Sequence, residues 1–226
     1  NQGDYTKALE YYFKALKMHE ELGAKTDIAL DLGHIGIVYY EQAERNRGSD
    51  KGPDSIRIHS SDSLYNKALK YFFKALKMDE ELGNKIGIAG NLGNIGELYT
   101  RQKKHPEAEH YLLQALDLAK EIGALYDEMY WHQNLSELYE QTGQYQKAHE
   151  HYKKYSIAKD TIYNEEKSKD IGRLEAGFEY DKKLALEQAE HEKQSAVAAS
   201  ESKRQRVVIY AVSGGLLLLI VFFIML

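Results

Sequence analysis

The sequence predicts an all-α solenoid, and three observations carry that reading. Lys7–Tyr39 is written again 60 residues later as Lys67–Tyr99, with 22 of 33 positions identical; a weaker copy runs from Glu107 to Tyr139 and a fourth starts at Lys147. Self-similarity of this kind marks stacked units that bury their apolar faces only against their neighbours. Within each copy, apolar residues recur three and four apart, the period of one helical face. The chain of 226 residues holds only two prolines and is rich in Lys, Glu, Leu and Ala, which suits helices throughout.

The elements follow in order from small anchor residues. Ala8, Ala68, Ala108 and Ala148 are equivalent, spaced by 60, 40 and 40, so the first interval is one 40-residue unit plus a 20-residue insertion. Four positions on stand Tyr12, Phe72, Leu112 and Tyr152, and three further on Ala15, Ala75, Ala115 and Tyr155. That spacing places each triplet on one helical face, where alanine lets two backbones approach. A second helix precedes three of these: Leu32-x2-Ile35-Gly36-x2-Tyr39, Leu92-x2-Ile95-Gly96-x2-Tyr99 and His132-x2-Leu135-Ser136-x2-Tyr139. Turns fall at Gly3-Asp4-Tyr5, Lys104-His105-Pro106 and Gly143-Gln144-Tyr145. Proline belongs at a first helical turn, where its missing N–H is of no consequence.

These residues resemble the tetratricopeptide repeat pattern, W-x2-L-G-x2-Y followed by A-x3-F-x2-A. The resemblance covers residues 1–160 and implies a solenoid of helical hairpins, stretched here from the usual 34-residue unit to 40. Its first repeat is truncated. His132, Ser136 and Tyr155 depart from the pattern, all in the last repeat, where a capping unit is atypical. The insertion, residues 45–62, is rich in Gly, Ser, Asp and charge and reads as a surface loop.

Residues 161–206 read as a charged linker helix. Ile171, Leu174 and Phe178 follow coiled-coil spacing, favouring a parallel homodimer through 165–206 over a solvated single helix. Val207–Leu226 is an uncharged run of 20 residues, about 30 Å as a helix, and predicts one transmembrane helix. The order of repeats, charged helix and span resembles the sensory halves of Bacteroidetes-type membrane signalling proteins, which continue into a kinase, cyclase, phosphatase or DNA-binding output. That resemblance implies a single-pass protein of a bacterial inner membrane with periplasmic repeats, although Lys203, Arg204 and Arg206 beside the span favour the opposite orientation. The alternative is a membrane-tethered scaffold without catalytic output.

Other function classes find little support. The net charge of −5 is interspersed, without a basic stripe for nucleic acid. Cysteine is absent, which excludes a disulfide framework and thiol catalysis. Nine histidines include no metal-binding set: His149 and His151 point to different helix faces, and His105 and His110 straddle a turn. No phosphate-cradling glycine loop occurs, so neither a cofactor nor catalysis within these residues is expected. What the repeat resemblance does imply is a concave groove lined by the first helix of each unit, with His34, Asn94 and Asn134 pointing into it and Glu97, Arg101, Glu137 and Gln141 beside them. Related repeat proteins bind peptide backbone with asparagines there, since an amide both donates and accepts. The expected partner is a protein or peptide.

Overall fold

A computed structural model describes the backbone of residues 5–48 and 54–225 and the side chains of residues 5–48 and 57–215. The described residues form α1 (Tyr5–Leu22), α2 (Lys25–Arg47), α3 (Asp54–Leu82), α4 (Lys85–Arg101), α5 (His105–Glu121), α6 (Leu125–Gln141) and α7 (Tyr145–Met225). The chain divides into two units, Asn1–Asn164 and Glu165–Leu226. In the first, successive helices pack as hairpins, each against the next, giving an all-α solenoid.

One turn geometry joins successive helices. Gly23, Gly83, Gly123 and Gly143 end α1, α3, α5 and α6 with φ between 65° and 72°. Around each, the next N–H reaches back five residues: Ala24 to His19 at 3.0 Å, Asn84 to Asp79 at 2.9 Å, Ala124 to Ala119 at 2.9 Å and Gln144 to Tyr139 at 2.8 Å. This is the Schellman ending, which satisfies the last helical carbonyls and needs a left-handed residue. The α4–α5 turn makes the same bond, Lys104 to Tyr99 at 2.9 Å, but places Lys103 there with φ 59°.

The helices within a hairpin cross at the small residues. A Cβ on Gly36 would lie 2.7 Å from the Phe72 ring, and one on Gly96 would lie 2.7 Å from Leu112 Cγ and 2.9 Å from its backbone nitrogen. Ser136 fills the same position in the last hairpin and donates its hydroxyl to the Ala148 carbonyl at 2.9 Å. Around these crossings Ile35, Ile95, Leu98, Leu112 and Leu135 are fully buried.

The insertion enters as helix rather than as the expected loop. Relative to the next hairpin, α2 gains six residues at its end, α3 gains eleven at its start, and three lengthen the connection. Tertiary contacts explain this. Ser61 is buried and donates to the Ala43 carbonyl at 3.0 Å, and the buried Tyr65 donates its hydroxyl to Glu44. Local composition signalled a loop, but a longer hairpin buries these side chains. Residues 49–53 lie outside the described part.

The transmembrane expectation is corrected. Among the described residues no helix is long and apolar enough to cross a membrane. Of the run Val207–Leu226, residues 216–226 lie outside the described side chains. The single-pass inner-membrane placement, with periplasmic repeats and a membrane partner, rested on that span and is withdrawn with it. The charged stretch 161–206 is helical, and Leu174 and Phe178 there are exposed.

His132 is the polar departure inside the core. It occupies the place of Leu32 and Leu92 and is 1 % exposed. Its Nδ1 lies 2.9 Å from His151 Nδ1 on α7, while Glu128 stands 3.6 Å from Nε2, too far to bond, so that buried nitrogen has no hydrogen-bond partner. Burial, then His151, Lys120 and Lys154, push His132 down to about 4, and burial and Lys154 likewise lower His151.

Two stability predictions follow from these observations. Lys103→Gly removes a left-handed side chain and should stabilise the fold by roughly 0.5–1 kcal/mol, whereas Gly123→Ala, whose Cβ would meet nothing within 4 Å, should cost about 1 kcal/mol for backbone conformation alone. Urea midpoints at unchanged slope measure both, and a destabilised Lys103→Gly would contradict the turn geometry. The second concerns pH. Between about 6.5 and 4 the unfolded chain binds a proton that folded His132 refuses, so stability is unaffected by this group above that window and falls as pH drops through it. His132→Leu should reduce the loss between pH 7.5 and 5; equal losses in both proteins would sink the assignment.

Candidate functional site

The first helices of three hairpins, α2, α4 and α6, carry one polar stripe each, and side chains bridge from stripe to stripe. Glu97 on α4 is at the centre and is buried. Its carboxylate accepts from the Tyr40 hydroxyl of α2 on Oε1 and from the Tyr130 hydroxyl of α6 on Oε2 at 3.0 Å. One turn on, Arg101 donates from Nη1 to Glu137 of α6 at 3.0 Å and from Nε to the Tyr40 oxygen at 3.4 Å. Two further carboxylates flank it at 3.7 Å, Glu44 of α2 and Glu97 of its own helix. Gln141 closes the line by donating to Glu137 at 3.3 Å.

Electrostatics follow from burial and from this pairing. Burial raises the Tyr40 phenol well beyond its ordinary range, with the Glu97 charge adding to the effect, and pushes Tyr130 up to about 12 with the same neighbour. Both therefore stay protonated and donate. Burial works against the Arg101 charge, but Tyr40, Glu137 and Glu44 outweigh it and hold the guanidinium protonated. One arginine faces three carboxylates, so the network keeps an acidic excess.

Beside the network lies a cavity of about 260 Å³ lined by Ile37, Tyr40, Glu41, Asn94, Glu97 and Tyr130, with Phe72 also in its wall. Farther along, Arg47, Asp62, Tyr65, Arg101 and Lys103 line another of about 220 Å³ beside the inserted helical segment. Among the described residues no three His, Cys, Asp or Glu side chains converge as a metal site.

The predicted groove residues do not all meet. Asn94 and Glu97 line one cavity; Arg101, Glu137 and Gln141 join through the ion-pair line. Asn134 is buried, and its amide donates to the Tyr130 carbonyl one turn back at 2.9 Å. His34 is exposed and lies outside that cavity, its ring tilted against Tyr12 of α1 at 5.1 Å. Tyr40, Glu41, Glu44 and Tyr130 were not foreseen. The repeat offset could have found two cavity residues, because subtracting 60 from Glu97 and Arg101 gives Ile37 and Glu41. Tyr130 has no such signal, since its equivalents are Leu30 and Gly90.

One comparison with known proteins, that with family models, agrees with this architecture at the level of the repeat. The tetratricopeptide repeat family model matches residues 57–121 and again 87–156. No curated protein matches the chain. Among solved structures, the chain is similar to aspartyl phosphate phosphatase F from Bacillus subtilis, with 20% identity over 70% of this chain and 42% of that one and a TM-score of 0.43. It is similar to the apo form of RapI, with 20% identity over 74% and 61% of the two chains and a TM-score of 0.44. It is also similar to BtubC from P. vanneervenii, with 14% identity over 71% and 75% and a TM-score of 0.43. The chain thus spans less than half the length of the first of these. Residues 57–156 thus match the tetratricopeptide repeat model, that of a helical module suited to protein binding.

Proposed function

We propose that this chain is a protein-interaction module whose α2–α4–α6 face binds an extended peptide or protein segment. The observation that carries it is the line of polar side chains contributed by three successive hairpins, Tyr40 and Glu44, Glu97 and Arg101, Tyr130 and Glu137. Fixed phenols, amides and charges on rigid helices recognise a partner at low ordering cost. Peptides selected from a random library on the full chain should lose at least about ten-fold in affinity on Ile37→Trp, which fills the cavity, or on Asn94→Ala, a loss of about 1.4 kcal/mol. They should keep their affinity on Lys77→Glu, an exposed site on α3. Selected peptides indifferent to both groove variants would refute the reading.

A second reading concerns the unit Glu165–Leu226. Ile171, Leu174 and Phe178 are 47%, 75% and 68% exposed at coiled-coil spacing, which supports pairing of two parallel copies. Light scattering should then report twice the chain mass, falling to one copy in Leu174→Lys with Phe178→Lys. A single-copy mass for the parent chain removes this reading.

A further inference from the structure

We infer that the cavity beside Glu97 is a cation subsite, taking a lysine or arginine side chain of the bound segment; the inference rests on the groove reading above.

Its lining holds two carboxylates, Glu41 and Glu97, and no basic residue. Neither Glu41 nor Asn94 has a hydrogen-bond or ion-pair partner among the described residues, although both line the cavity. A carboxylate offers about four acceptor positions. Glu97 uses one on each oxygen, for Tyr40 and for Tyr130, while Arg101 stands off at 3.7 Å and makes its shorter bond to Glu137. Acceptor capacity therefore remains, in a buried carboxylate whose neighbours have fixed its orientation.

The walls suit the same ligand. Tyr40 and Tyr130 bring two aromatic rings to the cavity, and aromatic faces attract an ammonium or guanidinium. Ile37 and Phe72 supply apolar surface for the methylenes of a long basic side chain, which pack on such surface while the charged head keeps polar contact. The volume, about 260 Å³, falls below the roughly 300–1,000 Å³ of drug-sized clefts. It fits one side chain from a longer ligand. An anionic side chain would meet two carboxylates with no base in the lining, and a neutral one would leave their charge without a partner there.

The test titrates the full chain with three capped pentapeptides, alanine throughout except for a central lysine, norleucine or glutamate, followed by NMR. The lysine peptide should bind about ten-fold or more tighter than the norleucine peptide and shift the ring signals of Tyr40 and Tyr130. Glu41→Gln, a change at an exposed position, should remove most of that preference while leaving the helical signal intact. Ile37→Trp should abolish binding of the lysine peptide. Norleucine and lysine peptides binding equally, with shifts along α2 and α4, would overturn the cation subsite while leaving the peptide groove standing. Shifts away from Tyr40 and Tyr130, a lysine preference unchanged by Glu41→Gln, or no binding of any of the three would also overturn it; the groove itself is judged by the library selection.

Discussion

The close crossing of two helices within each hairpin is the constraint on which the rest of the solenoid depends. At Gly36 and Gly96 the facing side chains, Phe72 and Leu112, occupy the space a Cβ would need. At Ser136 a hydroxyl replaces the missing volume and bonds to the Ala148 carbonyl. Interiors are packed to crystal density, so an added methyl at such a point must displace a neighbour, which costs typically 1–3 kcal/mol. With this distance set, the apolar faces can meet on one side only. The polar stripes of α2, α4 and α6 are left in register, and residues from three hairpins can reach one another.

That register explains why the charged line is built as it is. Isolated surface ion pairs contribute little, about 0–1 kcal/mol. Arg101 differs because it is half-buried and meets acids from three helices, Glu44, Glu97 and Glu137. Its bonds tie successive hairpins across the groove rather than residues along one helix. Removing it would leave carboxylates packed together without a counter-charge, the situation in which loss of one partner exceeds the net worth of the pair. The tyrosine hydroxyls on Glu97 act in the same direction, since they share its charge without adding a competing base.

Much of this was legible in the sequence, and the exceptions have physical causes. The helices, the turns with glycine and the small crossing residues all follow from periodicity, because every copy repeats the same packing problem. Residues 45–62 misled because Gly, Ser and Asp signal turns locally, while Ser61 and Tyr65 gain burial and hydrogen bonds only once the helices on either side have paired. The apolar run from Val207 was read as a span, but among the described residues no helix is long and apolar enough to cross a membrane. In the groove, projection from Gly36, Gly96 and Ser136 names His34, Asn94 and Asn134, whose contacts differ: Asn134 donates to the Tyr130 carbonyl of its own helix, and His34 leans on Tyr12. Which bond a polar side chain makes depends on neighbours from other repeats, and a single copy does not record them.

The repeats diverge in two distinct ways, and the difference bears on where specificity can arise. Positions that touch across the turn change together. His19 bonds Asp31 at 2.7 Å in the first copy, Asp79 bonds Asn91 at 2.8 Å in the second, and the third pairs a small Ala119 with the large Trp131. Trp131 in turn requires Gly93, whose added Cβ would lie 2.1 Å from its ring. Such sites are coupled, so single changes there disturb packing. The stripe positions 37, 97 and 137 instead read Ile, Glu and Glu, and 41, 101 and 141 read Glu, Arg and Gln. They answer to side chains on the neighbouring stripe and to the cavity, and Glu41 and Asn94 answer to nothing within the described chain. A substitution at those two positions alters the charge and shape of the groove without a core contact to repair. This freedom is what a binding face built on repeated helices needs.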